Sequence, residues 1–194
     1  MQSGFMQRLR RGLLLALLGA ALPATAATEG VVADESQREK GGEAGNSQAS
    51  LGGAEQARYL AELQRLYPRQ APRKALLEHC NRLLESYALS AGYRVGEKQR
   101  DDLLYRLSVS GDGTLNVREE TRSADGSRLE VRNQTLAVFG VDPFVRYECP
   151  NRGPACRVLN PQDGTPLLTL VRDHAGVAEL AKAMTFLIRD LQQS

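Results

Sequence analysis

Two Asp-Gly pairs, Asp112-Gly113 and Asp125-Gly126, each separate stretches in which apolar and polar residues alternate. No other feature restricts the fold as much. Alternation is the period of a half-buried strand, and Asp-Gly supplies the positive φ that a tight hairpin turn demands. Leu103, Tyr105, Leu107 and Val109 alternate with Leu104, Arg106, Ser108 and Ser110. Leu115 and Val117 follow the first turn, and Leu129 and Val131 follow the second. Two such turns in series predict a three-stranded antiparallel meander. Leu136 to Val141 extends the third strand or begins another. Further strands are expected at Val145 to Cys149, Cys156 to Leu159 and Leu167 to Val171, the last two joined by the turn-forming run Asn160-Pro161-Gln162-Asp163-Gly164.

The segments flanking these strands have helical period. Tyr59, Leu60, Leu63 and Leu66 fall near helical spacing in Glu55 to Tyr67, and Pro68 ends that run. Pro72 suits the first turn of a second helix, where its missing N–H costs nothing. Leu76, Cys80, Leu83 and Tyr87 share a face of this helix, which is expected to reach Leu89. At the far end Asp173 can cap a helix carrying Val177, Leu180, Ala181, Met184, Leu187, Ile188 and Leu191 as an apolar stripe. The predicted class is α+β: two N-terminal helices, an antiparallel meander of five to six strands, and a C-terminal helix packed on one sheet face. The other face would be open to water.

This domain, 55–194, is preceded by two segments of different character. Arg8, Arg10 and Arg11 lead into an apolar run from Leu13 to Leu22, then Pro23 and Ala24-Thr25-Ala26. Charge, a short apolar core and small residues in that order form a secretory signal peptide, 1–26, cleaved after Ala26. The run has about half the length a bilayer span needs. Residues 27–54 are rich in Gly, Glu, Ser, Gln and Ala and hold few large apolar side chains, so they are expected to form a disordered polar linker. The mature chain is thus expected in the periplasm or outside the cell.

The whole chain holds 25 Lys plus Arg against 23 Asp plus Glu. Removing the three signal arginines leaves 22 against 23, about neutral, which excludes the basic field that nucleic-acid binding needs.

An oxidising compartment favours disulfides. Cys149 and Cys156 flank a turn-rich loop and can face one way across it, so they are expected to pair. Closing so short a loop stabilises by about 2–3 kcal/mol on the chain-entropy account. Cys80 is left over on an apolar helical stripe, where a thiol behaves as a small buried hydrophobe. His79 adjoins it, but neighbouring helical residues point about 100° apart, so the two do not form a dyad. His79 and His174 are the only histidines and do not make a metal motif. Asp101-Asp102 and Glu119-Glu120 are adjacent pairs pointing to opposite strand faces, unlike the convergent carboxylates of a glycosidase. Ser110-Gly111-Asp112-Gly113-Thr114 lacks the Gly-Lys-Thr ending of a phosphate loop. Neither a catalytic set nor a cofactor motif emerges.

The open sheet face remains. With the apolar residues inward, Arg106, Arg118, Arg128, Arg132, Arg146 and Arg157 point outward together with Glu120, Glu130 and Glu148. Arg is favoured at interfaces and in planar recognition of anions. The leading expectation is a non-enzymatic exported interaction protein, of accessory, inhibitor or immunity type, binding another envelope or secreted protein. The alternative is a carrier holding a small apolar ligand or lipid between the sheet and the C-terminal helix.

Overall fold

A computed structural model describes residues 52–96, 100–111 and 113–193. The segments expected to form a signal peptide, 1–26, and nearly all of a polar linker, 27–54, lie outside the described residues. The fold is α+β, with helices α1 (Gly53–Leu66), α2 (Pro72–Ser86) and α3 (His174–Gln192). Strands β1 (Asp101–Val109), β2 (Thr114–Ser123) and β3 (Leu129–Ala137) form one antiparallel sheet in that order. Strands β4 (Tyr147–Glu148), β5 (Ala155–Leu159) and β6 (Pro166–Val171) form a second. The single meander expected from the alternation is therefore split into two sheets of three strands.

What joins the sheets is the segment after α2. That helix stops at Ser86, three residues short of the Leu89 end expected from sequence. Ala88 bridges to Leu170 of β6 and Leu89 to Leu103 of β1. The Val171 N–H donates to the Tyr87 carbonyl and the Leu103 N–H to the Leu89 carbonyl, both at 2.9 Å. Backbone groups that would have closed a last helical turn instead satisfy two sheet edges, which is the better use of buried donors and acceptors.

The core is one cluster, with α3 at its centre. Asp173 caps this helix by accepting from the Gly176 N–H at 2.7 Å. Residues Ala183 to Ile188 are all buried, a wider band than the expected stripe. A helix covers only a stripe when it lies on one surface. Here α3 contacts α2 on one side and β4 and β5 on another, so its circumference is largely enclosed. No helix among the described residues is long and apolar enough to cross a membrane.

Two local expectations change. Leu66 of α1 is 64% exposed, leaving Tyr59 and Leu63 as the buried residues of that helix. In β3, Leu129 and Val131 face outward, at 59% and 40% exposure. Directly paired strand residues share a face. Leu136 pairs with buried Leu115, while Val131 pairs with Glu120 and Leu129 with Arg122. Leu136 has opposite parity to Leu129 and Val131, so an unbroken strand cannot point all three inward. The residue in the core sets the phase.

The turns also have particular forms. Gly126 carries φ +73° and its N–H donates to the Ser123 carbonyl, while Asp125 stays at negative φ. The second Asp-Gly thus supplies one left-handed residue, not two.

Candidate functional site

Asn81 is the residue that builds the site. It lies on α2 beside the outer edge of β1. Its side-chain Nδ2 donates to the Leu107 carbonyl at 3.0 Å, and the Leu107 N–H donates to its Oδ1 at 2.7 Å. The backbone of Leu107 turns away from β2, as alternate residues of an edge strand must. The Asn81 amide occupies the place of a further strand and locks α2 alongside β1.

Glu78, Asn81, Arg82 and Glu85 fall at helical spacings of three and four, on the face of α2 away from buried Leu76, Cys80 and Leu84. Their counterparts across the gap are the even residues of β1 and β2. Between them runs a groove of about 430 Å³, lined on the sheet side by Leu104, Tyr105, Arg106, Arg118, Glu120 and Arg122.

Arg106 and Arg118 stand directly opposite each other across the β1–β2 ladder. Arg118 escapes by turning along its own strand, where Nε and Nη2 donate to Glu120 Oε1 at 3.0 and 2.9 Å. Arg122 Nη2 takes the other oxygen at 2.8 Å. The hydrogen bond from Arg122, and then that from Arg118, hold the Glu120 carboxyl below its ordinary range. On the helix side Arg82 pairs with Glu78 at 3.3 Å and lies over the Tyr67 ring at 5.1 Å. Arg106 has no ion-pair partner among the described residues. Four arginines face three glutamates around the groove, leaving it one positive charge in excess.

The six arginines expected on one face are therefore divided. Arg106 and Arg118 are together in the groove. Arg128 is paired with Asp101 at 2.8 Å. Arg132 lies on the opposite face of the first sheet, bonded to both oxygens of Glu119 at 2.8 and 3.0 Å. Arg146 and Arg157 belong to the second sheet, where Arg157 pairs in register with Glu148. The inverted phase of β3 separates Arg128 and Arg132, and the split into two sheets separates Arg146 and Arg157. Arg122 and Arg82 complete the groove and were missed, because their relation to Arg106 depends on strand register and on Asn81.

A second polar cluster links the helices. Tyr67 Oη and His79 Nδ1 lie 3.2 Å apart, His79 Nε2 lies 3.2 Å from Glu179 Oε1, and the Tyr59 hydroxyl donates to that same oxygen at 2.6 Å. The hydrogen bond from His79 leads in holding Glu179 below the usual carboxylate range, against the opposing effect of burial. Burial, then Glu179, pushes the Tyr59 hydroxyl far up. His79 thus partners Tyr67 and Glu179 rather than Cys80, and α1, α2 and α3 are clasped by one chain of hydrogen bonds. His79 and Glu179 line neither this groove nor the second surface hollow, which lies between Glu55, Arg58, Tyr59, Glu62 and Lys182. The Cys80 thiol is fully buried, and burial pushes its pKa up, which keeps it protonated.

Cys149 and Cys156 are joined in a disulfide that closes the loop between β4 and β5, with Cα atoms 4.2 Å apart. No group of three or more His, Cys, Asp or Glu could hold a metal ion among the described residues. Comparison with protein-family models, with curated proteins and with solved structures gave no match.

Proposed function

We propose that this protein is an exported, non-enzymatic interaction module whose groove between α2 and the first sheet takes an acidic segment of a partner protein. The observation that carries this reading is the juxtaposition of Arg106 and Arg118. Like charges directly opposite on a sheet destabilise it. Arg106 makes no ion pair among the described residues, and the carboxylate that Arg118 holds is shared with Arg122. A carboxylate from outside, placed between the two guanidiniums, relieves the repulsion and gains planar charge-assisted bonds. Leu104 in the groove, with Leu129 and Val131 on the same sheet face, adds apolar contact beside those charges.

Export is supported by the order of Arg8, Arg10 and Arg11, the Leu13 to Leu22 run and Ala24-Thr25-Ala26. The Cys149–Cys156 disulfide fits an oxidising compartment. The apolar residues of α3 that a carrier would need for its ligand are packed in the protein's own core.

The test uses the mature chain and a fluorescent synthetic peptide of alternating Glu and Leu. Binding followed by anisotropy should weaken at least tenfold in the Arg106→Glu/Arg118→Glu variant and persist in Arg157→Glu. In the native host, a cross-linked partner should be retained by Arg157→Glu and lost by the double variant. Equal binding by all three proteins would remove the groove from the function. The mass of the exported protein should correspond to a chain beginning at Ala27.

A further inference from the structure

Among the described residues, the first sheet ends in a long unpaired edge. Since Leu107 turns its backbone away from β2, the ladder's alternation directs the odd-numbered N–H and C=O groups of β3 away from β2 as well. The Ala137 carbonyl confirms this phase, for it accepts from Gln162 Nε2 at 3.2 Å. The backbone groups of Leu129, Val131 and Asn133 have no partner among the described residues. A nine-residue strand left open in this way is a template for another strand.

We infer that the occupant of this edge is a second copy of the chain, its β3 antiparallel to the first, with a twofold axis through Val131. The charges of β3 select both the partner and the register. In this register Val131 pairs with Val131 of the partner subunit, and Leu129 with Asn133 of the partner subunit. Each such pair exchanges two N–H···O bonds. The close, non-hydrogen-bonded pairs are then Glu130 with Arg132 of the partner subunit, and Arg132 with Glu130 of the partner subunit.

Glu130 has no ion-pair partner among the described residues. Arg132 is held on its inner side by Glu119, which leaves its outer side available to Glu130 across the axis. Sliding one strand by two residues either way, the smallest slip that keeps the hydrogen-bonding phase, ruins this match. One slip sets Arg132 against Arg132 of the partner subunit, and the other sets Glu130 against Glu130 of the partner subunit. Like charges directly opposite oppose such pairing. On the other face Val131 meets its own copy, with Leu129 diagonal to it, so the most exposed apolar residues of β3 join in one strip. The twofold axis is perpendicular to the sheet. Both grooves therefore open on one side of a continuous six-stranded sheet.

The test is charge exchange on the mature chain, read by sedimentation equilibrium. Glu130→Arg and Arg132→Glu should each weaken self-association by about 100-fold or more, since each sets like charges opposite on both sides of the axis. Mixed in equal amounts, the two variants should form a heterodimer, because both pairs become complementary again. Independently, Val131→Cys should give a covalent dimer under mild oxidation, as a hydrogen-bonded pair brings its Cα atoms to about 5.5 Å. Asn133→Cys, displaced along the strand from its copy, should not. A wild-type chain that stays monomeric up to about 1 mM would overturn the proposal. So would equal cross-linking from both cysteine positions, or charge variants that fail to complement each other while Val131→Cys does not cross-link.

Discussion

Replacing Asn81 tests whether one side-chain amide does the work of a strand at the edge of β1. Asn81→Ala removes both bonds to Leu107, a residue only 2% exposed. Each bond contributes about 1 kcal/mol, and a buried backbone group left unpaired costs about 1–3 kcal/mol. The expected loss is about 2–4 kcal/mol. Asn81→Asp separates the two bonds. The carboxylate still accepts from the Leu107 N–H, but its second oxygen faces the Leu107 carbonyl, acceptor against acceptor. At neutral pH the variant should lose about 1–3 kcal/mol. Desolvation and the facing carbonyl both favour the protonated acid, whereas one N–H favours the anion, so the new carboxyl should titrate above its unfolded value. A raised pKa means that the folded state holds the proton more tightly. The deficit of Asn81→Asp is therefore full above the folded pKa and shrinks as pH falls through it, when the acid can donate to the carbonyl. Urea unfolding of wild type, Asn81→Ala and Asn81→Asp at about pH 7 and pH 4.5 should show this as shifts in midpoint at constant slope. A loss under about 0.5 kcal/mol for Asn81→Ala would refute the reasoning, because that is the scale of an ordinary surface change. Two variants with equal deficits at both pH values would refute it as well.

Gly176 lies where a Cβ would fall inside the Tyr87 ring. Helix propensity favours Gly176→Ala by about 1 kcal/mol, but overpacking costs about 1–3 kcal/mol. The variant should be destabilised in a thermal melt, and a smaller residue at Tyr87 should reverse the sign. Thr185 is 1% exposed, accepts from the Val145 N–H at 3.0 Å and donates to the Ala181 carbonyl at 2.8 Å. Thr185→Val, of equal shape, orphans the Val145 N–H and should lose about 1–3 kcal/mol in urea unfolding, whereas Thr185→Ser should lose less. The carboxyl of Glu179 is held below its ordinary value of 4.5, chiefly by His79. A depressed pKa contributes stability that is complete above that ordinary value and is lost as pH falls through the folded pKa. Glu179→Gln should therefore flatten the acid limb of the stability profile, and an unchanged limb would show that Glu179 gains nothing from the clasp.

Parts of this structure could be read directly from the chain. Asp173 announces the start of α3, Cys149 and Cys156 announce their bond, and the two Asp-Gly pairs announce the hairpins. Each depends on residues close in sequence. The groove depends on more distant relations. Asn81 is a helical residue like any other until Leu107 of β1 is beside it. The end of α2 is decided by Leu170 and Leu103, which claim Ala88 and Leu89 as strand partners. In β3 the conflict of parity between Val131 and Leu136 was visible in the sequence. Which residue would yield was not, since that depends on which end of the strand reaches the core.

Several of the places where this chain departs from local rules lie on the first sheet. Elsewhere some local demands are met, as where Asp173 caps α3, Thr185 serves Val145 and the disulfide closes the β4–β5 loop, and others are not, as at Arg69 with φ +75° and at exposed Leu66. The first sheet carries two kinds of departure. Two arginines are opposed across its first ladder, and Leu129 and Val131 are exposed on its last strand. The edge of β1 is closed at Leu103 by the Leu89 backbone and at Leu107 by a side chain, while the edge of β3 from Leu129 to Asn133 is unpaired among the described residues. Departures that cost the single chain stability are where functional demands on a sequence are to be looked for. Both kinds of departure would be relieved by the proposed contacts: acidic groups would relieve the arginine pair, and a second strand the edge. On the proposed reading the first sheet is where this protein's interactions are to be sought, and Asn81 ties α2 to β1 along one wall of the groove.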